Sequence, residues 1–414
     1  MTEKIRFIHC ADLHLDSPFK GLSDMPSELF EQVKKSTFVA LHNLVDIAIK
    51  KQVDFVVVVG DIFDQTVQSV YAQIQFLHAC QKLNDANIQV YISYGNHDYS
   101  QSNQKVIDYP NNVHVFSEEN VTAKIFTKKS QDLAAIYGFS YPHRAVMNNK
   151  TAEYQKIANT PYHIGMLHGS VAQNTEHDHY APFQVSELIE KPFDYWALGH
   201  IHKRMVLKKN PSIVYPGNLQ GRSKKETGEK GCYYVELDKQ ETKRTFIPLQ
   251  SVCFEVATLD MENCSTISDF RMKLNGLVEK MLSLYDKTIV TVKLTNFQQE
   301  VETWYYENML QDVIDYTNER NNQATHWLWI QSITLSEYDQ AKRQQQLTKE
   351  DPFIEQLLLT FQEGNIDEDL SPLWNHPQAR KHLSLLTDEE KEELKKQAEN
   401  LLIYQLVGKD SHEN

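Results

Sequence analysis

The chain has 414 residues, of which 41% are hydrophobic, and its formal net charge at pH 7 is −14. This length exceeds one ordinary hydrophobic core, so two or three domains are expected, and the composition excludes a disordered protein. The first residues lead straight into a predicted strand, and no apolar stretch approaches the ~18 residues of a membrane span. We therefore expect a cytoplasmic protein that is neither secreted nor inserted in a membrane.

The charge is distributed unevenly along the chain. An overall negative charge argues against binding to nucleic acid, because phosphates are neutralised by basic surfaces. Residues 203–230, however, contain eight Lys or Arg against two Glu, a balance of +6, whereas residues 347–414 have a balance of −8. The basic segment predicts positive charge beside the loop at residue 202, with an ordinary solvated surface as the alternative.

The cysteines have no regular spacing and form no Cys-x-x-Cys pair. This pattern predicts neither a disulfide framework nor a zinc knuckle. We expect reduced and mostly buried thiols at all five positions, which are Cys10, Cys80, Cys232, Cys253 and Cys264.

Strands and helices alternate over the first 250 residues. Short apolar runs rich in β-branched and aromatic residues predict strands at residues 5–10, 53–59, 88–94, 162–167 and 193–198. Apolar residues at helical spacing predict helices at 27–50 and 67–84. Strands that are apolar on both faces need helices on either side. With shorter strands between 113 and 248, these elements predict an α/β (α+β) sandwich flanked by helices.

A small α/β domain and a helical tail are predicted to follow. Strands at 252–257, 287–294 and 327–335 alternate with helices at 267–284 and 301–318. Residues 339–346 are polar and are predicted to be a linker, after which capping residues and apolar stripes predict helices. We therefore expect three regions, at residues 1–250, 251–338 and 339–414. The tail helices are expected to pack either on their own domain or on a partner protein.

Each of the five longer apolar runs ends in residue types that bind metals. These residues are Asp12 and His14, Asp61, Asn96 and His97, His168, and finally His200 and His202. The carboxyl ends of strands in such sheets converge on one edge, where ligands bind. A lone Asp-x-His or Gly-Asp pair is common, but the whole ordered set predicts one two-metal phosphoesterase site built from five loops.

The residue types suit two divalent cations. Asp61 follows Gly60 and is expected to bridge the ions, because a shared anionic oxygen offsets their mutual repulsion. Asn96 adds a neutral oxygen, and the mixture of imidazole, carboxylate and amide ligands favours Mn²⁺, with iron or zinc as alternatives. Gly60, Gly95 and Gly199 permit sharp turns and close approach of the backbone.

The ordered motifs resemble those of the calcineurin-like metallophosphoesterase superfamily. They are Asp12-x-His14, Gly60-Asp61-x-x-Asp64, Gly95-Asn96-His97-Asp98, His168-Gly169 and Gly199-His200-x-His202. The sequences of residues 7–15 and 60–64 are similar to the SbcD-like DNA repair exonucleases, in particular their YhaO-type branch. The superfamily resemblance covers residues 5–248. It implies a metallophosphoesterase β-sandwich, followed in SbcD-like proteins by a small α/β capping domain and a helical carboxyl-terminal tail.

The resemblance also implies a role for each residue. One metal ion would be bound by Asp12, His14, Asp61 and His202, and the other by Asp61, Asn96, His168 and His200. His97 would bind no metal but would contact the phosphate and assist the leaving oxygen, since an expelled alkoxide benefits from a nearby proton donor.

Other polar residues near the motifs have alternative roles. Asp98 either orients His97 and keeps it protonated or caps the following turn. Asp64 stands where some relatives have a histidine, and its role in positioning nucleic acid is open. Four histidines are not expected among the ligands, although contact of the last two with substrate is an alternative: His9, His143, His177 and His179.

The resemblance implies a manganese-dependent nuclease subunit of an SbcCD-like DNA repair complex, acting as an exonuclease and also, as a further expectation, an endonuclease. Its partners would be DNA and an SbcC-like coiled-coil ATPase of the YhaN type, with homodimer formation a further expectation. One alternative is a phosphodiesterase or phosphatase acting on nucleotides or phosphoproteins. The other is a DNA-end-binding scaffold without turnover, which a complete ligand set disfavours because uncompensated burial of polar groups costs free energy.

Overall fold

The structure is a computed structural model that describes residues 3–22, 24–64, 68–99, 108–172, 180–322, 325–379, 383 and 386–407. Its strands are β1 (Ile5–Ala11), β2 (Phe55–Val59), β3 (Gln89–Ser93), β4 (Val113–Phe116), β5 (Thr122–Lys128), β6 (Gln131–Gly138), β7 (Tyr162–His168), β8 (Tyr195–Gly199), β9 (Met205–Lys208), β10 (Ser212–Tyr215), β11 (Gly231–Leu237), β12 (Thr242–Pro248), β13 (Cys253–Asp260), β14 (Lys287–Thr295) and β15 (Trp327–Leu335). Its helices are α1 (Ser27–Lys51), α2 (Val70–Asp85), α3 (Val185–Ile189), α4 (Ile267–Leu284), α5 (Gln299–Tyr306), α6 (Met309–Arg320), α7 (Glu337–Glu350), α8 (Pro352–Glu363), α9 (Ile366–Asn375) and α10 (Asp388–Val407).

The chain divides into two compact units. The first unit contains Met1–Glu255, Leu284–Ile289 and Gln323–Trp329. The second unit contains Val256–Ser283, Val290–Asn322 and Ile330–Asn414. The division into functional regions at residues 1–250, 251–338 and 339–414 stays a prediction.

Two six-stranded sheets form the first unit. One sheet has the strand order β12-β11-β1-β2-β3-β4, and the other has the order β5-β6-β7-β8-β10-β9. Neighbouring strands β1, β2 and β3 are parallel, as are β6, β7 and β8. Strands β11 and β12 in the first sheet, and β5 and β9 in the second, pair antiparallel with their neighbours. These two mixed sheets, flanked by helices, confirm the predicted fold class.

Hydrophobic layers cover both faces of the sheets. Alternate side chains of β1 point to opposite faces, so Phe7 lies between the sheets whereas Ile8 packs among residues of α1 and α2. Phe7 stacks on Phe55 of the next strand with ring centroids 5.1 Å apart. On the outer face of the second sheet, Trp196 stacks on Phe193 at 4.8 Å. Burial of both faces explains why the strand sequences are almost continuously apolar.

Parallel pairing brings the carboxyl ends of β1, β2 and β3 together with those of β7 and β8. The amide of Asp12 donates to the carbonyl of Gly60 at 3.2 Å, and the amide of Gly169 donates to the carbonyl of Gly199 at 3.1 Å. Across the two sheets, Asp12 Oδ1 lies 3.8 Å from Nδ1 of His168. Loops that are far apart in the sequence therefore meet at one edge of the sandwich.

The second unit contains helices and most of a sheet with the order β13-β14-β15. The single helix predicted at 301–318 is two helices, α5 and α6, because Asn308 between them adopts a left-handed φ of 61°. The linker predicted at 339–346 is instead part of α7. This segment is polar but consists largely of Gln, Lys and Arg, which favour helix even without an apolar stripe.

The capping residues of the tail begin their helices as predicted. The side chain of Asp351 accepts a hydrogen bond from the amide of Phe353 at 2.8 Å, and Pro352 is the first residue of α8. Before α10, the amide of Thr387 donates to Glu390 at 2.8 Å and the amide of Glu390 donates to Thr387 Oγ1 at 3.3 Å. This reciprocal pair is a capping box.

Helix α10 packs on its own unit. The Tyr404 ring stacks on Tyr306 of α5 with centroids 4.6 Å apart. Lys396 Nζ lies 2.8 Å from a Glu337 oxygen at the start of α7. Of the two alternatives predicted for the tail, packing on its own domain therefore applies to α10.

The cysteines are all free and buried, as the sequence predicts. Burial raises the pKa of Cys80 to about 12, so this thiol stays protonated at neutral pH. Among the described residues, no helix has both the length and the apolar character that crossing a membrane requires.

Close packing of β7 against β8 gives a prediction about stability. A Cβ on Gly165 would clash with the Trp196 ring, whereas a Cβ on Gly276 of α4 would meet nothing within 4 Å. We predict that Gly165→Ala lowers the thermal unfolding midpoint, because overpacking a core costs about 1–3 kcal/mol. Gly276→Ala is the control and should keep or raise the midpoint, since alanine favours helix. Scanning calorimetry that gives one midpoint for all three proteins would contradict this packing.

Candidate metal centre

Several predicted ligands have an unfavourable backbone conformation. The φ angles of Asp12, His14, Asp61 and His200 are 52°, 42°, 48° and 97°. A positive φ is strained for residues other than glycine, and such residues cluster at functional sites. The loops therefore hold these side chains in positions that local preference alone would not produce.

Hydrogen bonds tie the loops after β1, β2 and β3 to one another. The amide of His14 donates to the carbonyl of Asp61 at 3.0 Å. The carboxylate of Asp98 accepts hydrogen bonds from the amides of Ile62 at 2.6 Å and Gly95 at 2.8 Å. Asp98 is fully buried, and burial followed by the charge of Asp61 raises its pKa to about 7. Asp98 thus connects the loop after β2 to the loop after β3, which contains His97, while its predicted effect on the His97 ring stays a prediction.

Two imidazoles converge beside Asp12 and Asp61. His14 Nε2 lies 3.0 Å from His202 Nε2 and 3.9 Å from Asp61 Oδ2. Asp12, His14 and His202 offer ligand atoms that all lie within 4.8 Å of one another. Burial and then the charge of Arg222 lower the pKa of His14 to about 3. His14 is therefore neutral, which is the form that binds a metal.

A second group of ligand atoms surrounds His168. Its Nε2 lies 3.0 Å from Asn96 Oδ1 and 3.4 Å from Asp61 Oδ2. Its Nδ1 lies 3.1 Å from the carbonyl oxygen of Val59, which can only accept a hydrogen bond. This bond fixes the ring so that Nε2 faces Asn96 and Asp61, as is usual for a metal-binding histidine.

His200 completes the second group. Its ring centroid lies 5.3 Å from that of His168 and 5.5 Å from that of Tyr180. Its amide donates to both carboxylate oxygens of Asp12, at 3.0 and 3.1 Å. The structure thus brings together all seven predicted ligands, and their assignment as ligands stays a prediction.

The buried carboxylates favour positive charge nearby, as the pKa values of the site show. Burial raises the pKa of Asp12 to about 6. Burial by itself would lower the pKa of His168, but Asp61 and then Asp12 outweigh burial and raise this pKa to about 9. Burial would likewise raise the pKa of Asp61, yet the neighbouring His168 and His14 lower it well below its usual range. Converging anionic oxygens and imidazoles of this kind fit a pair of divalent cations.

Glycines allow the close approach of these groups. Gly60 adopts a φ of 75°, and a Cβ there would clash with the His168 ring. A Cβ on Gly95 would clash with Asp61 Oδ1 and lie 2.8 Å from His168 Nε2, and a Cβ on Gly199 would lie 3.0 Å from His168 Nδ1. A side chain at any of the three positions would therefore occupy space that the ligands need.

His97 lies at the edge of the first group. Its Nδ1 lies 2.7 Å from the carbonyl oxygen of Asp64, so Nδ1 carries the proton that this bond needs. Its amide donates to Asp61 Oδ1 at 2.9 Å, and its ring centroid lies 4.9 Å from that of His14. A ring nitrogen of His97 lies within 4.8 Å of ligand atoms of His14 and Asp61. The ring is therefore close enough to act on a group bound between these residues.

Sequence reasoning missed the position of two residues beside His202. Glu226 Oε1 lies 2.7 Å from His202 Nδ1, and Arg222 forms ion pairs with both Asp64 and Glu226. The sequence predicts Arg222 as a basic surface residue and counts Glu226 only in the local charge balance. Asp64 is the one available signal, because a partly buried carboxylate in place of histidine favours a cation nearby.

The remaining histidines differ in their surroundings. His9 lies in the core. Its Nδ1 is 3.0 Å from Tyr195 Oη, and its Nε2 is 3.0 Å from the carbonyl oxygen of Leu198. Burial lowers the pKa of His9 to about 3. His143 is exposed in a loop, and His177 and His179 lie outside the described residues.

Comparison with known proteins identifies the family. Residues 5–204 match the family model for calcineurin-like phosphoesterases. The Bacillus subtilis protein YhaO, named an uncharacterized metallophosphoesterase, is 35% identical over 99% of this chain and 100% of its own length. The chain belongs to the calcineurin-like metallophosphoesterases. The predicted family is confirmed, and membership supports a hydrolase.

More distant relatives are similar over much of the chain. The DNA double-strand break repair protein Mre11 of Saccharolobus solfataricus is 24% identical over 80% of this chain and 86% of its own length. Mre11 of Methanocaldococcus jannaschii is 24% identical over 72% of this chain and 78% of its own length. The similarity therefore extends beyond the part of this metallophosphoesterase that matches the family model.

Gly95 gives a direct test of the centre's packing. We predict that Gly95→Ala lowers the amount of Mn²⁺ that the protein retains, because the added Cβ would displace Asp61 and His168. Metal content after gel filtration, measured by mass spectrometry, checks this expectation. Gly276→Ala serves as the control with the same chemical change at an open position. Equal metal content in the two variants would contradict the described geometry.

Proposed function

We propose that this chain is a metal-dependent DNA phosphodiester hydrolase, the exonuclease subunit of an SbcCD-like DNA repair complex. The observation that carries the proposal is the convergence of ligands on both sides of Asp61, with His97 at the edge. Mre11 relatives, whose names assign them to DNA double-strand break repair, support DNA as the substrate. Endonuclease activity at the same centre is part of the proposal.

The proposed cofactor is a pair of Mn²⁺ ions, with iron or zinc as alternatives that the same donor set accepts. We assign one ion to Asp12, His14, Asp61 and His202, and the other to Asp61, Asn96, His168 and His200. When bound, two divalent cations supply Lewis acidity that polarises a phosphodiester and activates water for attack.

The protein residues have separate tasks in this proposal. Because Nδ1 of His97 donates to the Asp64 carbonyl oxygen, Nε2 is the nitrogen that faces a bound phosphate. When protonated, Nε2 can donate to the departing alkoxide, as a general acid does. Asp98 accepts hydrogen bonds from the amides of Ile62 and Gly95 and so fixes the loop that contains His97 against the loop after β2.

Digestion assays separate this proposal from its alternatives. End-labelled linear duplex DNA, single-stranded DNA and bis(p-nitrophenyl) phosphate are each incubated with the protein and Mn²⁺. Progressive shortening of DNA is the expected result. Turnover of the small ester without any DNA degradation would favour a phosphodiesterase or phosphatase for nucleotides or phosphoproteins. Tight DNA binding without turnover of either substrate would favour a DNA-end-binding scaffold.

Substitutions of Asp61 and His97, which are neighbours in the folded centre, should have different effects on metal content. Asp61→Ala should abolish turnover and lower bound metal, because both ions lose a shared anionic oxygen. His97→Ala should keep near-normal metal content and lose roughly 10²–10⁴-fold in rate, the usual contribution of a positioned proton donor. Metal analysis and rate measurements on the same samples check both. A parallel fall of metal and rate in His97→Ala would make His97 a ligand instead.

The partner proposed for this chain is an SbcC-like coiled-coil ATPase of the YhaN type. Helix α8 supports this proposal, because Phe353 and Leu359 are 59% and 46% exposed. Ile354 on the same helix is only 2% exposed, and α8 contacts α7 and α10 of its own unit. A fixed helix with exposed apolar residues suits docking against a helical partner.

Two substitutions on α8 test this partner. We predict that the double variant Phe353→Ser and Leu359→Ser fails to co-purify with the ATPase but keeps wild-type turnover of bis(p-nitrophenyl) phosphate. Met272→Ser, which changes a 68% exposed apolar residue of α4, is the control and should co-purify. Normal co-purification of the double variant would remove α8 from the interface.

A further inference from the structure

Arg222 lies behind the metal centre and contacts two carboxylates. Its Nη1 forms an ion pair with Asp64 Oδ1, and its Nη2 lies 3.5 Å from Glu226 Oε1. Its backbone amide donates to the other oxygen of Glu226 at 2.8 Å. The Arg222 side chain is only 19% exposed, so most of the guanidinium faces protein groups rather than solvent.

Each of the two carboxylates reaches a predicted metal ligand. Asp64 Oδ1 lies 3.3 Å from His14 Nδ1, and Glu226 Oε1 lies 2.7 Å from His202 Nδ1. On the far side of the rings, the two Nε2 atoms are 3.0 Å apart. The five side chains therefore form a closed ring in which Arg222 lies opposite the position where the two Nε2 atoms meet.

Further hydrogen bonds hold the Glu226 side of this ring. Asn218 Nδ2 donates to Glu226 Oε2 at 2.8 Å, and Lys230 Nζ donates to the carbonyl of His202 at 3.0 Å. Asn218 and Lys230 are both buried. Glu226 thus has a fixed position when it accepts the hydrogen bond from His202.

Arginine suits this place better than any other cation. Its planar guanidinium presents several N–H groups in fixed directions, so it can pair with two carboxylates at once. Lysine is a single point of charge on a flexible chain and cannot reproduce this geometry. Without a cation, Asp64 and Glu226 would be two partly buried charges of the same sign, with side chains only 12% and 15% exposed, which is unfavourable.

We propose that Arg222 is a positioning residue for one of the two metal sites. Through Asp64 and Glu226, and through its own Nη2, which lies 3.3 Å from His202 Nδ1, it fixes the His14 and His202 rings with their Nε2 atoms on the opposite side. The effect is confined to the ion that these two histidines share, because Arg222 has no described contact with Asn96 or His168. The inference rests on the two-metal centre of the proposed function.

Titration of the metal-free protein with Mn²⁺, followed by calorimetry and electron paramagnetic resonance, tests the proposal. In Arg222→Gln one of the two ions should bind about 10–100-fold more weakly, as expected when a partner of a ligand is lost. The other ion should keep its affinity, and the resonance signal of coupled ions should disappear at limiting Mn²⁺. Arg222→Lys should not restore the weakened site.

Two further variants make the test specific. Lys224→Gln removes the same charge from an exposed neighbour and should leave both affinities unchanged. Glu226→Gln breaks the ring at another position and should weaken the binding of the same single ion. This variant tests the proposal even if Arg222→Gln fails to fold. Thermal midpoints are recorded for all variants, and only folded proteins are compared.

Contrary outcomes are distinct. Unchanged affinity for both ions in folded Arg222→Gln would overturn the proposal, and a reduced salt dependence of DNA binding in that variant would make Arg222 a phosphate contact instead. An equal loss of affinity for both ions would also overturn the proposal. Wild-type protein that binds fewer than two Mn²⁺ ions would overturn the two-metal function itself.

Discussion

The organisation of the centre depends on one buried carboxylate, that of Asp61. Its Oδ2 lies 3.9 Å from His14 Nε2 and 3.4 Å from His168 Nε2, and its Oδ1 accepts a hydrogen bond from the His97 amide at 2.9 Å. The strained φ of Asp61 and the absence of a side chain at Gly95 both serve this placement. An anionic group shared by two sets of imidazoles suits two cations, whose repulsion it offsets.

The sandwich makes this convergence possible because both sheets have parallel central strands. The loops after β1, β2 and β3 come from one sheet, and His168 and His200 come from the other. Hydrophobic layers on both faces of each sheet fix the strands, and hydrogen bonds such as those of Asp98 fix the loops. The strain at His200 and the other predicted ligands with positive φ is therefore held by a rigid framework.

Local patterns in the sequence predict the strands, the helix caps and the loops that contain the predicted metal ligands, because each of these features depends on residues that are close in the sequence. The break at Asn308 depends on one residue with a left-handed φ, and helix α7 lacks the apolar stripe that marks helices in a sequence. The contact of Arg222 with Asp64 joins residues 158 positions apart, in a loop without periodic pattern. Such contacts arise only from the folded chain, so the residues behind His14 and His202 could not be predicted.

Anomalous diffraction at the manganese edge, from crystals grown with Mn²⁺, measures the number and position of the bound ions. We expect two peaks about 3.5–4 Å apart with Asp61 between them. One peak should lie beside His14 and His202, and the other beside Asn96 and His168. A single peak, or two peaks that Asp61 does not touch, would contradict the two-metal centre.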